Sequence, residues 1–281
     1  MAAPGRGIGM TAAAAAAPMR RPKLMGILNL TPDSFSGDGT LQPQRAFALA
    51  ERMVRLGASL IDVGAESTRP GADAIGPLEE RRRLAPVLQR IVAAPWRRRI
   101  SISIDTRHPA TAQWCLALGV DVLNDVSGLT DPDMLEVAAR GACPVIAMHA
   151  ARIPADPRVK LPQHADVVET VRAWREEVIE RATRGGVARD RLIFDPGFGF
   201  GKSTRQTLDL ILRARELTAL GGTWVFGHSR KSMLAPSSYR SMRQRDDHTL
   251  LVSGLLALSG VDILRVHDVR AHALLLASLL D

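Results

Sequence analysis

The sequence is poor in the residues that cross-link secreted proteins. It contains only two cysteines, Cys115 and Cys143, among 281 residues. A small secreted domain held by disulfides needs more of them, and these two lie in apolar segments without the neighbouring histidines of a zinc site. We therefore interpret them as reduced, buried thiols and expect a cytoplasmic protein.

Long apolar runs and aromatic residues are also scarce. No segment of about twenty apolar residues occurs, which excludes a membrane-spanning helix, and aromatic residues make up 4% of the chain. Lysine and arginine number 37 against 29 acidic residues, which gives a formal charge of +8. Much of this arginine lies in clusters such as residues 81–83 and 97–99, without interleaved aromatic residues. We interpret the clusters as solvated faces and predict that the chain binds neither nucleic acid nor membrane.

The first 22 residues differ in composition from the remainder. They are rich in alanine and glycine, and their run of six alanines is too weakly hydrophobic for the core of a secretory signal. We expect residues 1–22 to be a disordered extension, with Met19 as an alternative start, and residues 23–281 to form one domain.

From Lys23 onward, short apolar runs alternate with segments of helical periodicity. Strands that are separated by helices need crossover connections, which favour a parallel sheet buried on both faces. Eight such units in roughly 260 residues predict a single α/β domain that closes into a (β/α)8 TIM barrel. An open, doubly wound sheet is the alternative, but a barrel collects the polar residues at the strand ends at one mouth. The eight runs are residues 24–28, 59–63, 100–104, 120–123, 144–147, 192–194, 223–226 and 262–264.

Three of the polar residues that follow these runs share one kind of chemistry. Asp105, Asn124 and Asp195 offer carboxylate and amide groups beside apolar strands. Such a set suits a flat heterocycle with adjacent N–H donors and a carbonyl, because a buried polar atom without a partner is costly. The alternative for each residue taken alone is an ordinary helix N-cap or a loop brace.

A second set of strand-end residues is rich in hydrogen-bond donors. It consists of Asn29, Arg265 and His267, and it suits a phosphate or pyrophosphate group. Because a barrel brings the carboxyl ends of its strands to one mouth, we expect both sets to face the same opening.

Residues 195–202 read DPGFGFGK and follow a predicted strand. Glycines at alternating positions let the backbone come close to a flat or bulky group. The stretch is not a phosphate-binding P-loop, because Pro196 stands where that motif has its first glycine. It is not a dinucleotide fingerprint either, because Lys202 stands where that motif has its last glycine. A plain glycine-rich turn between a strand and a helix is the alternative interpretation of this stretch alone.

Several segments together resemble the signatures of the dihydropteroate synthase family. Residues 25–36, MGILNLTPDSFS, are similar to its first signature, and residues 62–71, DVGAESTRPG, are similar to its second. Residues 195–202, 229–232 and 265–268 are similar to later motifs of the family. The resemblance extends from residue 23 to the C-terminus.

The resemblance implies a transferase of folate biosynthesis that condenses 6-hydroxymethyl-7,8-dihydropterin pyrophosphate with p-aminobenzoate. It further implies a homodimer and inhibition by sulfonamides, which mimic p-aminobenzoate. The residues that it implies for the pterin are Asp105, Asn124, Met148, Asp195 and Lys231. Those that it implies for the pyrophosphate are Asn29, Thr68, Arg265 and His267, with Asn29 also a ligand of Mg²⁺. Those that it implies for p-aminobenzoate are Arg69, Ser229 and Lys231, with Phe200 in the apolar wall. The catalytic set that it implies is Asn29, Thr68, Arg69, Lys231, Arg265 and His267.

The sequence departs from the family pattern at several positions. Residues 37–39 read Gly-Asp-Gly where Asp-Gly-Gly is usual, and His228 precedes Ser229 where a small or apolar residue is usual. The altered loop at 37–39 motivates one alternative, a paralogue that binds a pterin without catalysis. The other alternative is a methyltransferase that uses a methylated folate, which has no need of the anion-binding motifs around Thr68 and Arg265.

Overall fold

The chain folds into a closed barrel of eight parallel strands. The computed structural model describes residues 20–31, 42–67, 73–156, 158–231 and 241–280. Each strand pairs in parallel with the strands that precede and follow it, and the last strand pairs with the first. This closure confirms the predicted (β/α)8 barrel and excludes the open sheet. The strands are β1 (Lys23–Asn29), β2 (Leu60–Gly64), β3 (Ser101–Asp105), β4 (Val122–Asp125), β5 (Val145–Met148), β6 (Leu192–Asp195), β7 (Thr223–Phe226) and β8 (Ile263–Val266).

Helices cover the outside of the barrel between successive strands. Asp131 accepts a hydrogen bond from the Asp133 N–H and so caps the fourth helix, as its sequence predicts. Ser203 and Gln206 form a reciprocal capping box at the start of the sixth, directly after the glycine-rich stretch. In the described residues the helices are α1 (Pro43–Arg55), α2 (Pro77–Val92), α3 (Pro109–Ala117), α4 (Pro132–Gly141), α5 (Val167–Arg184), α6 (Thr204–Leu212), α7 (Ala214–Thr218), α8 (Met242–Leu258) and α9 (Val269–Leu280).

The interior of the barrel changes from apolar to polar along the strands. Successive side chains of a strand point to opposite faces, so residues two apart face the same side. One residue from each of seven strands forms an apolar cluster within the barrel, and the residues two positions further along several of these strands are polar. The cluster consists of Met25, Leu60, Val122, Ile146, Ile193, Val225 and Ile263. The polar residues that come two positions later are Asp62, Asn124, Asp195 and Arg265.

Seven of the eight strands extend one or two residues beyond their apolar runs, and β7 ends with its run at Phe226. Asn29, Asp105 and Asp195 are the last residues of their strands, as predicted from the polar residue at the end of each run. Their positions remain in the ladder, since Asn29 pairs with Gly64 and Asp105 pairs with Asn124. The side chains at the mouth are therefore carried by sheet backbone, which restricts their movement.

Most of the apolar core lies outside the barrel, between the strands and the helices. Cys115 and Cys143 are both buried there and form no disulfide, as predicted. Among the described residues, no helix is both long and apolar enough to cross a membrane. Residues 1–19 of the predicted N-terminal extension lie outside the described residues, so the predicted disorder stays a prediction.

Candidate active site

A pocket opens at the carboxyl ends of the strands. It contains about 380 Å³ of space not occupied by protein atoms, part of it open to solvent, which is in the range of small-molecule sites. Six of the strands, β3 to β8, or the segments directly after them contribute its walls. The lining residues are Asp105, Asn124, Val126, Met148, Asp195, Phe198, Phe200, Gly227, Lys231 and Arg265. The predicted pterin set of Asp105, Asn124, Met148, Asp195 and Lys231 therefore lies in one pocket, together with Phe200.

The floor of this pocket is a network of buried charges centred on Arg265. The guanidinium donates through Nε to Asp62 Oδ2 at 2.6 Å and through Nη2 to Asp105 Oδ2 at 2.7 Å. Asn124 donates through Nδ2 to the same Asp62 oxygen at 3.0 Å. Because a carboxylate can only accept, this contact fixes the orientation of the amide and leaves the Asn124 Oδ1 to accept from a ligand.

These contacts shift the pKa values of the paired groups. Burial raises the pKa of Asp105 to about 7, the nearby Asp62 carboxylate adds to the rise, and Arg265 opposes it. Burial alone lowers the pKa of Arg265, but Asp62 and Asp105 raise it by more, so the guanidinium keeps its charge. The Asp62 side chain is fully buried, and its Oδ1 has no hydrogen-bond partner among the described residues. The network therefore places a fixed cation and a carboxyl that titrates near neutral pH side by side.

Asp195 is held by the glycine-rich turn that follows β6. Its Oδ1 accepts from the Gly197 N–H at 2.7 Å, and the side chain is 7% exposed. Gly197 has a φ of +67°, and a Cβ at this position would lie 1.9 Å from the His149 carbonyl oxygen, so only glycine fits. Burial raises the pKa of Asp195, whereas the Gly197 N–H and the charges of Lys231 and Arg265 lower it by less. The turn thus orients one carboxylate oxygen and leaves Oδ2 available to a ligand.

The turn itself is held by Lys202, which the sequence places in the motif without indicating a role. The Lys202 ammonium is 3% exposed and bonds the Gly197 carbonyl at 2.9 Å and His149 Nδ1 at 2.7 Å. Burial lowers the pKa of Lys202 to about 7, although Asp195 opposes the shift. Burial also lowers the pKa of His149 to about 3, with the Lys202 charge adding to the decrease. His149 is therefore neutral and accepts from the lysine, and it joins β5 to the turn after β6.

Lys231 and Phe200 form the side of the pocket beside Asp195. The Lys231 ammonium lies 4.7 Å from the centroid of the Phe200 ring, in a cation–π contact. Phe200 also packs with Met148 and Val126 in a small buried cluster at the mouth. This side can therefore cover the face of a flat ring with apolar atoms while a cation reaches its edge.

The described members of the predicted pyrophosphate set, Asn29, Arg265 and His267, have different neighbours. Arg265 lies in the pocket with the carboxylates, as described above. His267 instead bonds Ser229, with Nδ1 of the ring 2.9 Å from the hydroxyl oxygen. Asn29 is half-buried at the end of β1 and is not among the residues that line the pocket. Thr68 and Arg69 lie outside the described residues, as do the departure at residues 37–39 and Phe35, Pro70 and residues 232–240.

Two further strand-end residues have structural partners. Asp125 accepts from the backbone N–H groups of Ser127 and Leu129, both at 2.8 Å, so it braces the loop after β4. Glu66, in the second signature, binds the Arg107 guanidinium at 2.7 and 2.9 Å. These two carboxylates therefore stabilise loops and do not face the pocket.

Comparisons with known proteins give the site a context. The model of the family described as "Pterin binding enzyme" matches residues 25–267. The chain is 37% identical over 253 residues to dihydropteroate synthase of Escherichia coli K12, covering 90% of this chain and 88% of that protein. It is also 44% identical over 250 residues to a probable bifunctional folylpolyglutamate synthase/dihydropteroate synthase of Halobacterium salinarum. That match covers 89% of this chain but only 30% of the length of the haloarchaeal protein.

Solved structures agree with these relatives. The fold matches dihydropteroate synthase from Anaplasma phagocytophilum, which has bound 6-hydroxymethylpterin-monophosphate, with a TM-score of 0.84 and 35% identity over 92% of this chain and 98% of that one. It matches the Xanthomonas albilineans enzyme with 4-aminobenzoic acid with a TM-score of 0.81 and 36% identity over 92% of each chain. A family model that spans most of the chain, and full-length relatives at this identity, show that the chain belongs to the family of pterin-binding enzymes.

Proposed function

We propose that the chain is a dihydropteroate synthase, a transferase that joins 6-hydroxymethyl-7,8-dihydropterin pyrophosphate and p-aminobenzoate. In this reaction the amine nitrogen forms a bond to the pterin methylene carbon, the bond from that carbon to the pyrophosphate oxygen breaks, and the amine loses one proton. The observation that carries the proposal is the buried pocket in which Asp195, Asn124 and Asp105 face Lys231 and Arg265. These are the donors and acceptors that a pterin needs.

The free oxygen of Asp195 suits the aminopyrimidinone edge of a pterin. One of its carboxylate oxygens already accepts from Gly197, so the other is free to accept from the ring, and a charged acceptor makes the stronger bond. Lys231 supplies a donor for the carbonyl on the same edge, and the Asn124 Oδ1 supplies a further acceptor. Met148 would pack against one ring face. Phe200, which the resemblance assigns to the p-aminobenzoate wall, packs with Met148 in this pocket and would cover the ring as well. A related ring without this donor pattern would leave buried polar groups unpaired, which is the basis of selectivity.

We assign the outer part of the site to the pyrophosphate and the amine. Thr68, Arg265 and His267 would bind the pyrophosphate, while Arg69 and Ser229 would face p-aminobenzoate. A well-bound leaving group lets the methylene carbon become cation-like before the amine attacks. An aromatic amine is neutral at pH 7, so the reaction needs no strong general base.

Magnesium fits this site only together with the substrate. The described residues hold no cluster of three or more acidic, histidine or cysteine side chains that could bind a metal alone. Asn29 offers one amide oxygen at the mouth, and Mg²⁺ commonly takes one or two protein ligands plus phosphate oxygens and waters. We propose that Asn29 holds a Mg²⁺ ion that neutralises charge on the pyrophosphate.

We also propose a cytoplasmic homodimer. The two free cysteines support the cytoplasmic location. Exposed leucines on the last two long helices support self-association, with Leu251 63% exposed on α8 and Leu274 61% exposed on α9. Sedimentation of the purified protein tests this proposal, and a monomeric mass at micromolar concentration would exclude a stable dimer.

The decisive experiment is formation of dihydropteroate from the purified protein. We expect product only when dihydropterin pyrophosphate, p-aminobenzoate and Mg²⁺ are all present, and we expect sulfonamides to compete with p-aminobenzoate. Product would also show that the Gly-Asp-Gly sequence at 37–39 is tolerated. Binding of dihydropterin pyrophosphate without product would instead favour the non-catalytic paralogue that this departure motivates.

A further inference from the structure

Behind the mouth of the barrel, two buried histidines meet at one serine hydroxyl. His228 follows β7, Ser253 lies on α8 and His272 lies on α9; all three are buried. The Ser253 Oγ is 2.6 Å from His228 Nε2 and 2.9 Å from His272 Nε2. His228 is the residue that departs from the family pattern, and the pocket described above does not include it. The proposed reaction therefore leaves this network without a role.

The donors and acceptors in this network follow from what each partner can do. The Asp268 carbonyl can only accept, so His272 carries a proton on Nδ1, which lies 2.6 Å from that oxygen. The neutral His272 ring then accepts at Nε2. The single proton of Ser253 faces two acceptors, His272 Nε2 and the Thr249 carbonyl oxygen 2.9 Å away. Since Ser253 has no second proton, His228 must donate through Nε2 to the serine oxygen. A neutral His228 that donates from Nε2 has no proton on Nδ1, so the 3.2 Å contact between Nδ1 and the Phe226 carbonyl oxygen contributes no hydrogen bond.

Both rings are neutral in this arrangement. Burial lowers the pKa of His228 to about 3, and His272 and Lys231 add to the decrease. Burial also lowers the pKa of His272, whereas the Asp268 carbonyl and the charges of Asp268 and Asp246 raise it by less. The network is therefore a fixed chain of hydrogen bonds from His228 through Ser253 and His272 to the backbone of residue 268.

The two ends of this chain are sequence neighbours of a pair at the mouth. His228 precedes Ser229, and Asp268 follows His267, while Ser229 Oγ and His267 Nδ1 lie 2.9 Å apart. The two segments are thus joined twice, once at the mouth and once behind it. Helix α8 holds the first segment at another point, because Thr249 Oγ1 accepts from the Arg230 N–H at 3.0 Å. Arg230 has a φ of +58°, a left-handed conformation that a non-glycine residue keeps only where neighbours enforce it.

We infer that His228, with Ser253 and His272, is a positioning residue that sets the distance between Ser229 and His267. The kinetic part of this inference rests on the proposed function, in which Ser229 faces p-aminobenzoate and His267 faces the pyrophosphate. The network touches neither substrate. It holds the two strand ends at the separation at which the serine hydroxyl and the imidazole meet.

The first test does not depend on catalysis. Ser253→Ala removes the bridge with little change of volume, and Ser278→Ala is the control, because Ser278 is an exposed serine whose hydroxyl likewise bonds the carbonyl four residues earlier. Ring ¹⁵N spectra of the seven histidines would be recorded for both variants. In Ser253→Ala we expect the signals of His228 and His272 to move, and those of His267 to move with them. An unchanged His267 ring in a folded Ser253→Ala protein would overturn the inference.

The second test separates positioning from a merely structural role. In Ser253→Ala we expect the KM for p-aminobenzoate to rise roughly tenfold, the effect of one lost hydrogen bond, while the affinity for 6-hydroxymethylpterin changes less than about twofold. Equal losses for both ligands would mean that the network only stabilises the fold. A wild-type protein that forms no product would refute the proposed function, and the histidine spectra would then decide the positioning role alone.

Replacement of His228 gives a rescue test. Gln places an amide nitrogen near the position of the imidazole Nε2 and can still donate to Ser253, whereas Leu fills similar space without a donor. We expect His228→Gln to keep the KM for p-aminobenzoate within about threefold of wild type, and His228→Leu to raise it roughly tenfold. Identical kinetics for the two folded variants would contradict a role through the Ser253 bond.

Discussion

The buried ammonium of Lys202 makes the stability of the barrel depend on pH. The side chain is 3% exposed, and burial lowers its pKa to about 7. The unfolded chain restores the ordinary pKa of about 10.4 for a lysine. Between these two values the unfolded state therefore binds more protons than the folded state. Stability that comes from this group rises with pH through that window and is lost as the pH falls toward 7.

The size of this effect follows from the two pKa values. Between about pH 7.5 and about pH 9, the linkage relation gives a gain in the free energy of unfolding on the order of 2 kcal/mol from Lys202 alone. For a protein of this size that free energy corresponds to roughly 4–8 °C in Tm. Lys202→Met keeps the length of the side chain but removes the charge, so it removes this gain. It also leaves the Gly197 carbonyl without its donor, which costs about 1–3 kcal/mol at any pH.

The assay is denaturant unfolding of the wild type and Lys202→Met at both pH values. The quantity of interest is the difference between the two proteins in their change with pH, because other titrating groups contribute equally to both and cancel. Lys160→Met is the matched control, since Lys160 is exposed. We expect the wild type and the control to gain about 2 kcal/mol more than Lys202→Met. If all three change in parallel, Lys202 is not desolvated as its burial indicates, and the reasoning is refuted.

Further predictions concern the proposed substrates. Asp195→Ala should abolish binding of dihydropterin pyrophosphate while the far-ultraviolet spectrum of the barrel is preserved, and calorimetry that finds unchanged affinity would refute the role of Asp195. Lys231→Ala should weaken both substrates by roughly tenfold or more, because its ammonium lies beside Asp195 and against Phe200; loss of only one substrate would revise its placement. Chelation of Mg²⁺ should lower the rate of product formation, added Mg²⁺ should restore it, and a rate that does not respond would remove Asn29 as a metal ligand.

The architecture could be predicted from the sequence because its signals are local. Each strand and the helix after it lie within at most 40 residues, and eight repeats of that unit leave few alternatives to a barrel. Side chains two positions apart on a strand face the same side, and this also indicates which residues reach the mouth. Asn124, Asp195 and Arg265 follow the inward-facing Val122, Ile193 and Ile263 by two positions. The apolar runs by themselves stop one or two residues short of most strand ends, because a polar residue can continue a ladder as well as end it.

The partners of these residues could not be predicted, because they come from distant parts of the chain. Arg265 bonds Asp62 and Asp105, which precede it by 203 and 160 residues. A pattern of strand ends indicates that Arg265 is near the mouth but not whether it faces the carboxylates or a separate anion site. The burial of Lys202 could not be predicted for the same reason, because it depends on contact between the segments after β5 and β6. The bridge from His228 to His272 depends on how helices α8 and α9 approach the strands.

The charges in the pocket almost balance, and this balance bears on what the site recognises. Three carboxylates lie in or beneath the pocket with three cations close by, and burial of unpaired charges would be far more costly. A pterin ring adds no net charge, so the hydrogen-bond pattern, and not attraction between charges, decides its affinity. The pyrophosphate carries the charge of the substrate, and in the proposed arrangement it would lie at the mouth, where salt screens it. Added salt should therefore weaken the binding of dihydropterin pyrophosphate much more than the binding of 6-hydroxymethylpterin. Equal loss of affinity for the two ligands would show that the buried charges do not balance. The six charged residues are Asp62, Asp105, Asp195, Lys202, Lys231 and Arg265.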